Sequence, residues 1–375
     1  MRAAKVMKIA INTLPLYKTK VGMGKYIVEL ANRLPLIDQQ NTYYFYSSEH
    51  NQKYFKWNPN NIIINKIPSL LSIPFLKILL EQLYIPYHLW RNDINCYHST
   101  GFTLPFFKPK KTRYIVTIAD MTFFSHPEYH IWWKNLYFRY MIPKALRKAD
   151  KIITISNNTK NDIIKTIGIA PQKIKTIYLG VDTAPLNNNA LDHYNIHFPY
   201  ILFVGMLEPR KNVIGLIQAY AALKNKKNHK LVIIGKKGWM YEQIFHVVKK
   251  LHIEEEVLFF GYVPDYYLPQ LYQAASCFVY PSFYEGFGIP VLEAMAYGCP
   301  VITSKNSSME EIAKGVALLV DPFNKKAIMN AINFILTHKE KRVKMRNKGF
   351  NHVKKFRWET MAEETKELYD SVCLL

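Results

Sequence analysis

Acidic residues are in short supply in this chain: 28 Asp and Glu stand against 50 Lys and Arg, a formal charge of +22 over 375 residues. The deficit is concentrated up to residue 183, where 26 basic residues face 10 acidic ones, a net of +16. Such a field attracts phosphorylated ligands, anionic lipid headgroups or nucleic acid without choosing among them. Cysteine is rarer still, with four residues at positions 96, 277, 299 and 373 and no CxxC pair. That excludes a disulfide framework or a thiolate metal site and points to reduced thiols in a cytosolic setting. Long apolar runs are missing as well. The most apolar stretch, Ile67–Trp90, is broken by Pro68, Pro74, Lys77, Glu81 and Pro86, short of the roughly 18 clean residues of a spanning helix. The run KIAIN ends at Asn12 and supplies no apolar core for a signal peptide, so residues 1–6 read as a short extension. No Asp-x-Asp occurs, and with it the paired carboxylates that commonly hold Mg²⁺ or Mn²⁺ are absent. No internal repeat and no low-complexity tract is found.

What is present is a globular composition, 49% hydrophobic and 21% charged, in a chain about twice the usual domain length. Short β-branched or aromatic runs alternate with helical patterns throughout, the signature of βαβ units and parallel sheets. Strands are expected at Lys8–Asn12, Tyr43–Ser47, Ile62–Ile67, Ile94–His98, Arg113–Asp120, Lys151–Ser156 and Lys175–Leu179. Helices are expected at Gly24–Leu34, Leu76–Trp90, Trp132–Arg147 and Asn157–Ile167. A loop-like stretch containing GVDTAPLNNN then precedes the strand YILFVG, which marks a linker at 184–199 between domains 1–183 and 200–356. In the second domain strands are expected at Leu231–Gly235, Val257–Gly261, Cys277–Tyr280, Val301–Thr303 and Ala317–Val320, with helices following Asn212, Trp239, Asp265, Pro290 and Asn324. The tail 357–375 is an amphipathic helix with Trp358, Met361, Thr365, Leu368 and Val372 near one stripe. The fold class is α/β, with two Rossmann-like, doubly wound domains facing a cleft, and ligands expected beyond the carboxyl ends of the strands.

The most informative segment is PSFYEGFGIPVLEAMAYGCPVITS, residues 281–304. After a strand come Glu285, then Gly286, Phe287 and Gly288, then Pro290 in the first turn of a helix that carries Glu293. A glycine-flanked loop entering a helix presents backbone N–H groups and a positive dipole end, suited to a pyrophosphate or to sugar hydroxyls. Glu285 and Glu293 can accept hydrogen bonds from a polyol.

Glu285 and Glu293, with seven residues between them, resemble the E-x7-E motif of family 4 of the retaining glycosyltransferases, which adopt the GT-B fold. In that family the first Glu contacts the donor sugar and the second the ribose. The segment FVGMLEPRKNVIGLIQAY, containing Gly205, resembles the family's strand-loop-helix whose Arg and Lys hold the donor diphosphate, which maps to Arg210 and Lys211. The likeness extends over TKVGMGKYIVELANRL, with Gly22 and Gly24 close to donor or acceptor, over IVTIADMTFFSHPE and ADKIITISNNTKNDI, and over GYVPDYYLPQLYQAA and GVALLVDP. It implies an acceptor-binding first domain, a nucleotide-sugar-binding second domain and a last helix returning toward the first. It also implies retention of anomeric configuration, with the leaving phosphate helping to deprotonate the acceptor. The wording of the motifs is similar to that of bacterial transferases building lipopolysaccharide O-chains, with a mannosyltransferase drawing on GDP-mannose as the first expectation.

The chemistry is consistent with these residues. Breaking a sugar–phosphate bond builds charge on the departing diphosphate, and preorganised cations there, Arg210 as a fork and Lys211 as a point charge, take the place of a metal. No cofactor or metal is expected. Asp120 closes its strand where a cleft residue belongs, with capping of the next segment as the alternative. The family pattern there is His-Asp, with the His near C6 of the sugar, and this chain has Ala119 instead; room for a donor altered at C6 is one reading. His98 and His126 are the substitutes considered, each against a structural role. HPEYH, residues 126–130, lacks the Glu of a zinc helix and has Pro127 in its place. The basic, aromatic segment of residues 129–148 is either a helix packed on its sheet or one lying in a membrane interface, and with the charge of the first half it suggests a peripheral site on the inner face of the plasma membrane. Expected partners are therefore a nucleotide sugar, a glycan or polyprenyl-diphosphate-linked acceptor and an anionic membrane surface. The rivals are a GT-B enzyme on soluble sugars, a sugar-nucleotide epimerase and, on charge alone, a nucleic-acid-binding protein, for which no RNP, KH or helix-turn-helix signature appears.

Overall fold

The computed structural model describes residues 6–16, 22–56, 60–68, 74–183, 186, 189–224, 226 and 228–373. The chain divides into two compact units, Met1–Gly180 with Trp358–Leu375, and Val181–Arg357.

The first unit is built on seven strands, β1 (Lys8–Asn12), β2 (Thr42–Ser48), β3 (Ile62–Ile67), β4 (Cys96–Ser99), β5 (Arg113–Ile118), β6 (Lys151–Thr154) and β7 (Ile174–Thr176). They form one sheet in the order β3-β2-β1-β4-β5-β6-β7, parallel throughout. Its helices are α1 (Met23–Ile37), α2 (Pro74–Leu79), α3 (Ile85–Arg91), α4 (Thr122–Ser125), α5 (Trp132–Lys148) and α6 (Asn157–Ile167). Helix α6 shows how local sequence sets such an element: the Ser156 hydroxyl accepts from Thr159 N–H at its start, and Gly168 ends it with φ 75°, the left-handed stop that glycine adopts without strain. One helix was expected over Leu76–Trp90; instead α2 and α3 are joined by a π-helical turn, Leu80–Tyr84. The strand expected to reach Asp120 stops at Ile118.

The second unit has six strands, β8 (Tyr200–Val204), β9 (Lys230–Ile234), β10 (Val257–Gly261), β11 (Cys277–Tyr280), β12 (Val301–Ser304) and β13 (Leu318–Val320). They run in the order β10-β9-β8-β11-β12-β13, all parallel. Runs such as YILFV and KLVII are almost entirely buried, as strands covered on both faces must be. The helices are α7 (Ala190–His193), α8 (Val213–Ala221), α9 (Glu242–Lys250), α10 (Leu268–Ala274), α11 (Ile289–Ala296), α12 (Ser307–Ala313), α13 (Lys325–Thr337) and α14 (Lys339–Val353). Helix α14 is absent from the sequence reading because KEKRVKMRNKGFNHV buries only Gly349 and Val353, leaving no apolar stripe to see. Helix α12, also absent from it, is too short for a stripe to stand out.

The last helix, α15 (Trp358–Cys373), belongs to the first unit. Trp358, Met361, Thr365, Leu368 and Val372 are buried as the stripe predicts, together with Ala362 and Tyr369. It packs along α1, where Glu359 meets Arg33 at 3.2 Å. Among the described residues no helix is long and apolar enough to cross a membrane.

Candidate active site

In each sheet the strand order reverses direction once, between β1 and β4 in the first unit and between β8 and β11 in the second. Loops leaving the carboxyl ends of the strands diverge at such a point and open a crevice for ligand. The residues singled out in the second domain lie at its reversal.

After β8 the chain passes Gly205, makes a tight turn at Pro209–Lys211 and enters α8 through Asn212 at φ 53°. After β11 it runs through residues 281–288 into α11, entered by Gly288 at φ 115° with Pro290 in the first turn. These loops meet at Glu285. Its Oε1 accepts from Lys211 Nζ at 2.6 Å and from Tyr280 Oη at 3.2 Å, and its Oε2 accepts from Arg210 Nη1 at 2.8 Å. The other arm of the guanidinium donates to Glu208 Oε1 at 2.8 Å, while Nη1 also reaches the carbonyl of Tyr284. Glu285 and Lys211 are buried, 7% and 8% exposed. Burial alone would raise the Glu285 pKa, but the Arg210 and Lys211 charges outweigh it and hold the carboxylate down at about 2. Burial and the adjacent Arg210 lower the Lys211 ammonium below the ordinary lysine range, against the pull of Glu285 and Glu208. A desolvated charge persists only where opposite charge and hydrogen bonds replace water, and here two cations and two carboxylates balance.

The loop is clamped from below. Ser304 Oγ donates to Ser282 O at 2.6 Å, Asn306 Nδ2 to Phe283 O at 2.8 Å, and Ser307 Oγ accepts from Glu285 N–H at 3.2 Å. Ser308 Oγ lies 2.8 Å from the carbonyls of both Glu285 and Phe287. Asn212 Nδ2 ties the two loops together by donating to Pro281 O and Pro322 O. Glu208, Tyr280, Asn212 and residues 304–308 were not read from the sequence. The only signals were a carboxylate two residues before Arg210 and a Ser/Asn run after a strand, both common in solvated loops.

Other expected site residues fall as follows. Glu293 lies on α11, half-buried, its Oε2 accepting from Tyr272 Oη at 3.3 Å. The Phe287 side chain is buried edge-to-face against Phe356, and its carbonyl accepts from Ser308 Oγ. Gly205 donates its N–H to Ile234 O, and its carbonyl oxygen lies where a Cβ on Gly235 would fall. In the first unit Gly22, at φ 56°, precedes α1, and Gly24 is buried in the first turn; Thr19–Val21 of the same motif lie outside the described residues. Asp120 follows β5, and its Oδ1 accepts from the N–H and hydroxyl of Thr122 at 3.0 and 2.6 Å, a cap on the turn into α4.

Of the two histidines considered in place of the missing one, His98 takes the structural alternative. His98 is completely buried, with Nδ1 against Tyr369 Oη at 2.6 Å and Nε2 against Thr117 Oγ1 at 2.7 Å. Burial lowers its pKa to about 3, so it is a neutral core residue joining α15 to the sheet. His126 stacks on Tyr129 and contacts Glu128. His130 stacks on Phe123 and reaches Thr122. Ala119 is buried, and its carbonyl accepts from Thr159. Among the described residues no group of three or more His, Cys, Asp or Glu could hold a metal ion.

Residues 195–352 match the family model for glycosyl transferases group 1, and residues 21–185 that for glycosyltransferase family 4. The O-antigen chain mannosyltransferase B of Escherichia coli is 31% identical, over 97% of this chain and 99% of that protein. Among solved structures, sucrose-phosphate synthase from Thermosynechococcus elongatus superposes with a TM-score of 0.77 at 20% identity, covering 97% of this chain and 98% of that one. Anabaena Alr3699/HepE in complex with UDP-glucose superposes with a TM-score of 0.75 at 18% identity, covering 97% and 100%. Both carry the same pair of parallel-sheet domains, the GT-B fold.

Proposed function

Since this chain belongs to the family 4 glycosyltransferases and is a glycosyltransferase of GT-B fold, we propose that it moves a hexose, with retention and without a metal, from a nucleoside diphosphate to a lipid-linked or growing surface-polysaccharide acceptor. The observation that carries the reading is the convergence of Arg210, Lys211 and Glu285 at the strand-order reversal of the second sheet.

In this reading the diphosphate lies against Arg210 and Lys211, beside the start of α11. As the glycosidic bond breaks, charge grows on the leaving phosphate, and cations already fixed in a water-poor pocket stabilise it without reorganising. Glu208 and Glu285 hold the Arg210 fork in place. Glu285 also accepts from donor-sugar hydroxyls and Glu293 from the ribose. The main chain of Gly286–Gly288 approaches the sugar, with Gly205 lining the nucleotide side. Gly22, Gly24 and Asp120 of the first unit serve the acceptor and the reacting centre. The leaving phosphate takes the acceptor proton on the face it departs from, so no enzyme nucleophile is needed.

Mannose from GDP-mannose is the first choice of donor, supported by the kinship with an O-antigen mannosyltransferase along nearly the full chain. A nucleotide-sugar donor is supported by the UDP-glucose complex of a protein of the same fold. A lipid-borne acceptor places the enzyme on the cytoplasmic face of an anionic membrane.

The test is calorimetric binding of GDP, UDP, ADP and dTDP in EDTA, on wild type and Arg210→Ala, followed by NMR of the product anomer. Binding of GDP that weakens in the variant, with retained configuration, supports the reading. Binding that requires Mg²⁺, or an inverted product, refutes the corresponding part of it. Binding of none of the four refutes the donor site.

A further inference from the structure

The exposed large apolar side chains of the first unit concentrate on one outer face. Helices α3 and α5 both pack on the same side of the sheet, through Ile85 and Leu89 from one and Ile142, Ala145 and Leu146 from the other, all in one core cluster. Their outward sides carry large apolar residues beside basic ones. On α5, Trp132, Leu136 and Tyr140 recur every four residues and are 77%, 67% and 58% exposed. On and beside α3, Leu83 and Trp90 are 67% and 64% exposed. The loop between carries exposed Phe106 and Phe107 and bridges the helices: Phe106 N–H donates to Gln82 Oε1 at 2.8 Å, and Lys144 Nζ sits 5.3 Å from the Phe106 ring centroid and 3.9 Å from that of Tyr140. The three segments thus form one continuous surface.

A helix that merely covers a sheet turns polar residues to water, and an apolar patch of this extent marks an interaction surface. Charge selects its partner. Helix α5 has no acidic residue and carries Lys134, Arg139, Lys144, Arg147 and Lys148; α3 has none either and ends in Arg91. Two copies of such a face would repel one another. An anionic bilayer does the reverse: lysine and arginine meet headgroups while Trp, Tyr, Phe and Leu enter the boundary with the acyl chains. We propose that the outward faces of α3 and α5 with the Phe106–Phe107 loop form a docking surface for the interface of an anionic phospholipid membrane. This deepens the membrane part of the proposed function and rests on it.

The experiment is flotation of the full chain with vesicles of phosphatidylglycerol mixed with phosphatidylcholine, and of phosphatidylcholine alone. It is run on wild type, on Trp132→Ser/Leu136→Ser/Tyr140→Ser and on Lys144→Gln/Arg147→Gln/Lys148→Gln. Wild type is expected to float with the anionic vesicles and to lose binding as salt is raised. The apolar triple variant is expected to bind about tenfold more weakly, and the basic one severalfold more weakly with a flatter salt dependence. Brominated lipid should quench wild-type tryptophan fluorescence. All six positions lie on the outer side, so unchanged thermal midpoints and unchanged transfer to a water-soluble acceptor fragment show that the variants remain folded. Equal binding to neutral vesicles, binding untouched by either variant, a dimer in solution dispersed by the apolar variant, or binding to an RNA oligonucleotide but not to vesicles each overturns the proposal. If wild type transfers sugar to the soluble acceptor but never floats, the docking surface falls and the transferase reading stands. If it floats but transfers to no acceptor, the reverse holds.

Discussion

Lys211 Nζ donates to Oε1 of Glu285 at 2.6 Å, joining the loop after β8 to the loop after β11 inside the second unit. The two residues lie 74 positions apart, and the bond forms only because their strands are neighbours in the sheet. Removing either partner leaves a buried charge uncompensated. Glu285→Gln or Lys211→Met is therefore expected to destabilise the protein by about 3 to 5 kcal/mol. The double variant should lose less than the sum of the singles. Urea denaturation of the four proteins measures this, and additive losses would contradict the coupling.

Arg210 is expected to be irreplaceable by lysine. Its two terminal nitrogens engage Glu285 and Glu208 on separate sides, and a single ammonium cannot reproduce that fork. Both Arg210→Lys and Arg210→Ala should lower kcat by about 100- to 1000-fold, the usual consequence of losing one preorganised donor to a developing anion. Steady-state kinetics on the two variants decides the matter. A lysine variant with near wild-type kcat would show that charge alone suffices.

His98 should set the acid limb of stability. Its folded-state pKa is depressed to about 3 from an ordinary 6.5. Below pH 6.5 the unfolded chain therefore binds a proton that the folded chain refuses, and stability falls as pH is lowered from 6.5 toward 3. Between pH 7 and pH 5 the loss is about 2 kcal/mol. Glu285 has the opposite chemistry but the same sign: its contribution is present above the ordinary carboxylate pKa and is lost as pH falls toward about 2. Above pH 4.5 only the His98 loss operates, so His98→Gln should flatten the slope between pH 7 and pH 5, while below pH 4.5 the share due to Glu285 remains. An unchanged slope in that variant would refute the assignment.

Gly288 combines two constraints. Its φ is 115°, and a Cβ there would fall 2.1 Å from Met309 Cε. Gly288→Ala should cost about 1 to 3 kcal/mol from backbone strain, with the clash in addition. Met309 is fully buried, so Met309→Ala alone leaves a cavity and should cost about 2 to 5 kcal/mol; in that background Gly288→Ala should cost only the backbone part. Thermal melts of both single variants and the double variant separate the contributions, and a Gly288→Ala that costs nothing in the Met309→Ala background would mean that the backbone is unstrained.

Much of the fold was legible in the sequence. Strands such as Lys8–Asn12, Ile62–Ile67, Val257–Gly261 and Cys277–Tyr280 and helix Asn157–Ile167 were read to the residue, because β-branched runs and a Ser start with a Gly stop are local signals. Helix α14 was not legible, since it buries only Gly349 and Val353. Arg210, Lys211 and Glu285 were picked out in advance, whereas Glu208, Tyr280 and the clamp at 304–308 were not. A hydroxyl or carboxylate becomes part of a site only through the partner that the fold brings to it, and that partner lies on another strand. The choice between the two readings of His98, a substitute for the missing histidine or a structural residue, was likewise not legible: only burial between Tyr369 and Thr117 makes it a core residue.

The sequence by itself determined the alternation of strands and helices, the division into two sheets and the chemical types available for binding a diphosphate, because each depends on residues within a few positions of one another. Only the tertiary structure decided that Arg210 and Lys211 share one buried carboxylate, and that the aromatic faces of α3 and α5 lie side by side on the outside. Those outcomes depend on the order of strands in a sheet and on which side of it each helix packs, and they emerge only when distant segments compete for the same buried surface.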